Sequence, residues 1–113
     1  MAGNSWEGFV VEQIISNLNN QCIPFYYRTQ TGSELDLCIM KGNEIVATFE
    51  NKLSNNPKIS RGNTESITDL KTTNNFIVTF SAGDYALNDK WQVYDLNSIE
   101  KHLLRLGLKE ENK

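Results

Sequence analysis

The sequence predicts an α/β fold, a central mixed sheet flanked by helices, in the order α-β-β-β-α-β-β-α. Three observations carry this prediction. A helical apolar period opens the chain over residues 5–18, and three extended segments separated by glycine-bearing turns follow it. After a short helical pattern comes Phe76-Ile77-Val78-Thr79-Phe80, almost wholly apolar, as a strand covered on both faces requires. With 113 residues the chain suits one domain, which we place at residues 1–106, and residues 107–113 read as a charged tail.

In the first helix Trp6, Phe9, Val10, Val11, Ile14, Ile15 and Leu18 share a face opposite Ser5, Gly8, Glu12, Ser16 and Asn19, with Asn4 or Ser5 as N-cap. Glu7 has Val10 and Val11 as its i+3 and i+4 neighbours, which sets its carboxylate at the edge of the buried stripe. The simpler reading of Glu7 is a first-turn acid complementing the helix dipole. Phe25 to Thr29 is aromatic and extended, and Gln30-Thr31-Gly32 is a three-residue hairpin loop into Glu34 to Met40. If Thr29 pairs with Ser33, Arg28 lies opposite Glu34. In that second strand Leu35, Leu37 and Ile39 share one face, leaving Glu34, Asp36, Cys38 and Met40 on the other.

Lys41-Gly42-Asn43 turns the chain into Glu44 to Lys52. Matching apolar faces puts Leu37 beside Phe49 and Ile39 beside Ala47. The same register brings Asp36 opposite Glu50, with Lys52 two residues on, and with Cys38 and Thr48 as the next layer. Like charges directly opposite are destabilising, so the pair calls for a compensating charge, which a divalent cation supplies. Residues 53–62 read as a linker, residues 63–72 as a helix with Ile67 and Leu70 inward, and Ser81 to Asp89 as a loop. Trp91 to Tyr94 is a last short strand, and Leu96 to Leu106 a closing helix.

Composition excludes several classes. Eleven basic against 14 acidic side chains leave a net charge of −3, which argues against tight nonspecific nucleic-acid binding through bulk charge. Cys22 and Cys38 form no CxxC, the one histidine is His102 on the last helix, and no Gly-rich phosphate loop is present. That removes zinc fingers and nucleotide cradles, and it leaves a Ser-His-Asp triad without a strained Gly-x-Ser-x-Gly turn. No apolar run approaches the roughly 20 residues of a membrane span, and the first residues lack signal-peptide order, so a cytoplasmic protein without a membrane partner is expected.

Asp36 followed by Glu50-Asn51-Lys52 is the spacing used by metal-dependent enzymes that cleave phosphodiesters. Alone it is weak, since about one acidic-x-Lys triplet arises by chance at this composition and the chain holds three. Only Glu50-Asn51-Lys52 falls on a strand; Asp69-Leu70-Lys71 and Glu111-Asn112-Lys113 fall on a helix and in the tail. More telling is the series Gly3-Asn4-Ser5-Trp6-Glu7-Gly8-Phe9-Val10 and Glu12-Gln13-Ile14, Tyr26-Tyr27-Arg28-Thr29, Gly32-Ser33-Glu34-Leu35-Asp36-Leu37, and Glu50-Asn51-Lys52. Pro57-Lys58-Ile59-Ser60-Arg61-Gly62 and Asp69-Leu70 add weaker matches. From Gly3 to the last helix the chain resembles the PD-(D/E)XK nuclease-like domain at the C-terminus of bacterial and archaeal AAA-type ATPases, long labelled a domain of unknown function.

The resemblance implies a restriction-endonuclease-like fold, Asp36 and Glu50 as catalytic, metal-binding acids, Glu7 as the helix acid and a further metal ligand, and Lys52 as the catalytic lysine, with Mg²⁺ or Mn²⁺ as cofactor. It also implies an ATPase domain in a longer parent protein. Asn51 stands where the family carries an apolar residue, which predicts a more exposed opposite sheet face. One functional expectation is Mg²⁺-dependent cleavage of DNA. Another is a catalytically silent module that docks DNA, regulates the ATPase or self-associates, as a homodimer for example. Residues 1–51 hold two basic and six acidic side chains, and residues 52–71 four and two. The basic segment Lys52, Lys58, Arg61 and Lys71 thus offers Lys58 and Arg61 as phosphate contacts, or else is a solvated loop. A plain scaffold with decorative acids is the remaining reading.

Overall fold

Alternation, turn chemistry and apolar runs resolve into ten elements in the computed structural model, which describes residues 2–110, with side chains from Trp6 onward. Helix α1 (Ala2–Asn17) buries Val10 and Ile14 and leaves Glu12 in solvent. It begins before the residues expected to cap it, so Asn4 and Ser5 lie inside it, and their side chains lie outside the described residues. Strands β1 (Cys22–Arg28), β2 (Glu34–Lys41) and β3 (Glu44–Asn51) form an antiparallel meander. Strand β1 starts three residues earlier than expected and includes Pro24, which an edge strand tolerates.

The hairpin closes as the sequence reading has it. Thr29 N–H donates to Ser33 O at 2.9 Å, Arg28 pairs with Glu34, and Gly32 takes φ 95° in the loop. Helix α2 (Arg61–Leu70) then crosses to β4 (Asn75–Thr79), which pairs parallel with β3, and β6 (Trp91–Asp95) pairs parallel with β4. A two-residue strand, β5 (Tyr85–Ala86), pairs antiparallel with β6 where a plain loop was expected. The sheet is therefore six-stranded and mixed, ordered β1-β2-β3-β4-β6-β5. After a 3₁₀ turn at Leu96–Ser98, α3 (Ile99–Arg105) packs beside α1.

Helices α1 and α3 cover one face, where Val10, Ile14, Leu37, Ile39, Phe49, Phe76, Val78 and Leu103 pack together. Helix α2 covers the other, over Leu35, Cys38, Ile67, Ile77, Trp91 and Val93. Leu35 thus departs from the face predicted for it. Tyr27 pairs with Leu35 but Phe25 pairs with Cys38, so Asp36 and Leu37 together oppose Tyr26. This bulge reverses the alternation at Asp36, which simple period-2 reading does not foresee.

Three other expectations change. Helix α2 starts two residues early because Ser60 caps it, with Asn63 completing a capping box, and it ends at Lys71 in the left-handed conformation. Phe80 lies outside β4 and is 56% exposed, tilted against Trp6 at 5.7 Å between ring centroids. The expected tail is packed at its start: Leu108 N–H donates to Leu103 O at 2.9 Å past Gly107, and Leu108 is buried in the core. Residues 111–113 lie outside the described residues. No helix among the described residues is long and apolar enough to cross a membrane.

The first turn of α2 rests on the β1–β2 loop. A Cβ built on Gly62 would stand 2.7 Å from the Gly32 carbonyl oxygen. Helix propensity alone favours Gly62→Ala, but this contact reverses the sign. The variant is expected to lose about 1–3 kcal/mol in urea unfolding, whereas Gly8→Ala, with open space around it, should not destabilise.

Candidate functional site

Backbone pairing between β2 and β3 runs from Lys41–Glu44 to Leu37–Phe49 and stops one residue short of Asp36 and Glu50. Beyond that point side-chain oxygens replace carbonyl acceptors. The Asp36 N–H donates to Glu50 Oε1 at 3.2 Å, and the Asn51 N–H donates to Asp36 Oδ2 at 2.9 Å. Each carboxyl group is held by the strand of the other. The register expected from matching apolar faces therefore does bring these two acids together.

Glu50 is 5% exposed, and its other oxygen accepts from Asn63 Nδ2. Burial, then the hydrogen bond and charge of Asp36, push the Glu50 carboxyl up to about 8, against the lowering pull of Asn63 and Lys52. At neutral pH the Glu50 carboxyl therefore keeps its proton. Cys38 lies one layer deeper, its thiol pushed up to about 12 by burial and then by the Glu50 charge, so it stays protonated.

Lys52 is half-buried and near enough to lower both Glu50 and Glu7, yet it forms no ion pair among the described residues. Glu7 is exposed at the rim and does not face inward. Its carboxyl is raised by desolvation first, then by the charges of Asp36 and Glu34. It thus shares the field of the pair without joining it, and no group of three or more His, Cys, Asp or Glu side chains is set for one ion among the described residues. Two carboxylates are nevertheless a fitting donor set for Mg²⁺, which commonly binds one or two of them and keeps its waters.

A family model for the domain of unknown function DUF4143 matches residues 2–99. The chain belongs to the DUF4143 family. Among its relatives are the uncharacterized proteins Mb2031c of Mycobacterium bovis and Rv2008c of Mycobacterium tuberculosis, each 36% identical over 87 residues. Those matches cover 77% of this chain and 19% of either relative, so the chain spans about a fifth of the length of the curated relatives it matches. No solved structure matches it.

Within this DUF4143 domain the basic segment does not form one track. Arg61 Nε is committed to Glu65 at 2.8 Å, Lys58 is exposed, and Lys71 ends α2, about 15 Å of helix away from Arg61. Asn51 also overturns an expectation. It is 6% exposed, so the opposite sheet face is closed at this point, and neither of its amide atoms finds a partner among the described residues. The Trp6 indole N–H is likewise unpartnered there. Asn63 was not singled out from sequence, although Ser60-x-x-Asn63 has capping-box spacing. His102 Nε2 lies 2.7 Å from Asp84, and Ser98 donates to that carboxylate and not to the imidazole, so these three do not assemble a hydrolase triad.

Two outcomes follow from this geometry. Unfolded, Glu50 titrates near 4.5, and folded near 8, so the native state holds the extra proton between those values. Its contribution to stability is complete below the lower value and is lost as pH rises through the upper one. Without divalent ions, the melting temperature of the wild type should therefore fall relative to Glu50→Gln between about pH 5 and about pH 9; parallel profiles would refute the assignment. Asn51→Leu removes two unmet buried polar atoms while keeping the backbone N–H that serves Asp36. It should raise the unfolding free energy by about 1–2 kcal/mol in urea titration.

Proposed function

We propose that this chain is a PD-(D/E)XK-type nuclease domain that hydrolyses DNA phosphodiesters with Mg²⁺ or Mn²⁺, as the C-terminal part of an AAA-type ATPase. The single observation that carries the reading is the Asp36–Glu50 pair, two carboxyls brought together where the β2–β3 pairing ends, with Lys52 directly after β3 and in the same field. The order α1, a three-strand meander, α2 and a parallel β4 also suits a restriction-endonuclease-like fold.

Asp36 and Glu50 would hold the cation, which when bound neutralises the pair and activates water against the phosphate. The Lys52 ammonium, free of any ion pair among the described residues, would orient the attacking water and stabilise charge developing on the phosphate. Glu7, exposed at the rim and in the field of Asp36 and Lys52, would assist proton movement.

Incubation of the chain with plasmid and branched DNA tests this. Cation-dependent cleavage is expected, falling by at least about 100-fold in Lys52→Ala and lost in an Asp36→Ala, Lys52→Ala double variant. Cleavage that persists in the double variant would sink the assignment. A second reading, a silent nuclease-fold module that docks DNA or self-associates, draws on the broken basic track, since Arg61 is held by Glu65 and Lys71 lies at the far end of α2. A melting temperature raised by Mg²⁺ with no cleavage of any DNA would favour it.

A further inference from the structure

We propose that Asn63 is the positioning residue of the site: it fixes the Glu50 carboxylate against Asp36 and ties that geometry to the seat of α2. The inference rests on reading Asp36 and Glu50 as cation ligands. Asn63 is the third residue of α2 and is 1% exposed. Its backbone N–H donates to Ser60 Oγ at 3.0 Å, and its Oδ1 accepts from the Ser60 N–H at 3.3 Å. These two bonds are the ordinary capping box, and they leave both amide hydrogens of the side chain unused.

The amide hydrogens go to the site. Nδ2 donates to the Glu34 carbonyl oxygen of β2 at 3.2 Å and to Glu50 Oε2 of β3. One side chain thus bridges the two strands that present the acids, two residues from Asp36 on one of them. The third helical position of a capping box is usually Glu or Gln. A glutamate there would cap the helix but offer no donor, and would set a third negative charge against Glu50. An amide that accepts from the cap and donates to both strands meets every demand at once. The seat itself is built by Gly62 against Gly32 and by Ser33 Oγ, which donates to Glu65 Oε2 at 3.0 Å.

Groups that orient a ligating carboxylate typically alter metal affinity by about 10–100-fold when removed. Mn²⁺ affinity, read by calorimetry and by the electron paramagnetic resonance of the free ion, separates this role from helix capping. Asn63→Ala should weaken Mn²⁺ binding by about tenfold or more. Ser60→Ala removes the hydroxyl cap of the same helix but not the Glu50 contact, and should bind Mn²⁺ as the wild type does while melting at a lower temperature. If Asn63→Ala does not fold, Asn63→Ser, which keeps a hydroxyl but cannot span to both strands, is read in its place. Wild-type affinity in the Asn63 variant, or equal weakening in Ser60→Ala, overturns the positioning role alone. Wild-type protein that binds no Mn²⁺, or binds it undiminished in Asp36→Asn, overturns the metal reading and this inference with it.

Discussion

Asp36 and Glu50 sit side by side where the backbone ladder between β2 and β3 ends, and two acids so placed cannot both be charged without help. The fold supplies that help from several directions. The backbone N–H groups of Asp36 and Asn51 each donate to the opposite acid, and Asn63 donates from the helix above. Lys52 lowers what burial raises. The bulge at Asp36 and Leu37 is part of the same solution, since it breaks the alternation where a side chain must leave the sheet face and reach across the strand end. The docking of α2 on the β1–β2 loop follows as well, because Asn63 serves Glu50 only when the first turn of that helix is in place.

Much of this was legible in the sequence because burial enforces it. A one-residue slip would throw Phe49 and Ile39 out of the core, so matching apolar faces was enough to find Leu37–Phe49 and Ile39–Ala47, and with them the two acids. The hairpin at Gly32 was equally readable from its loop chemistry. Leu35 was misplaced because a bulge inserts a residue without any compositional mark, and period-2 counting runs straight through it. Asn63 was missed for a different reason. Asparagine in a turn-rich chain looks like loop chemistry, and only the capping-box spacing from Ser60 distinguishes it. Leu108 was hidden by its charged neighbours, although the glycine before it is the usual sign of a helix that folds back.

The acid-x-lysine spacing also explains the cost seen at its middle residue. Along β3, Phe49 joins the core under α1 and Glu50 turns the other way to meet Asn63 of α2, so alternation returns Asn51 to the Phe49 side, where it is buried. An apolar residue suits that core, and an amide with both polar atoms unmet does not. The Trp6 indole N–H is unmet on the same helix that carries Glu7.

A difference in support orders the three acids. Glu50 is fixed from β2 and from α2, Asp36 is fixed by the Asn51 backbone, and Glu7 is linked to them only by charge. The charge distribution points the same way: residues 1–51 hold two basic against six acidic side chains, and Lys52, which follows them, forms no ion pair with Asp36 or Glu50. A divalent ion at Asp36 and Glu50 would displace the Glu50 proton and turn the local field from repelling a phosphate to attracting one. Attraction of a polyanion would then be local to the site and conditional on the ion. A continuous basic surface is not required for such a mechanism, and the broken run from Lys52 to Lys71 does not provide one.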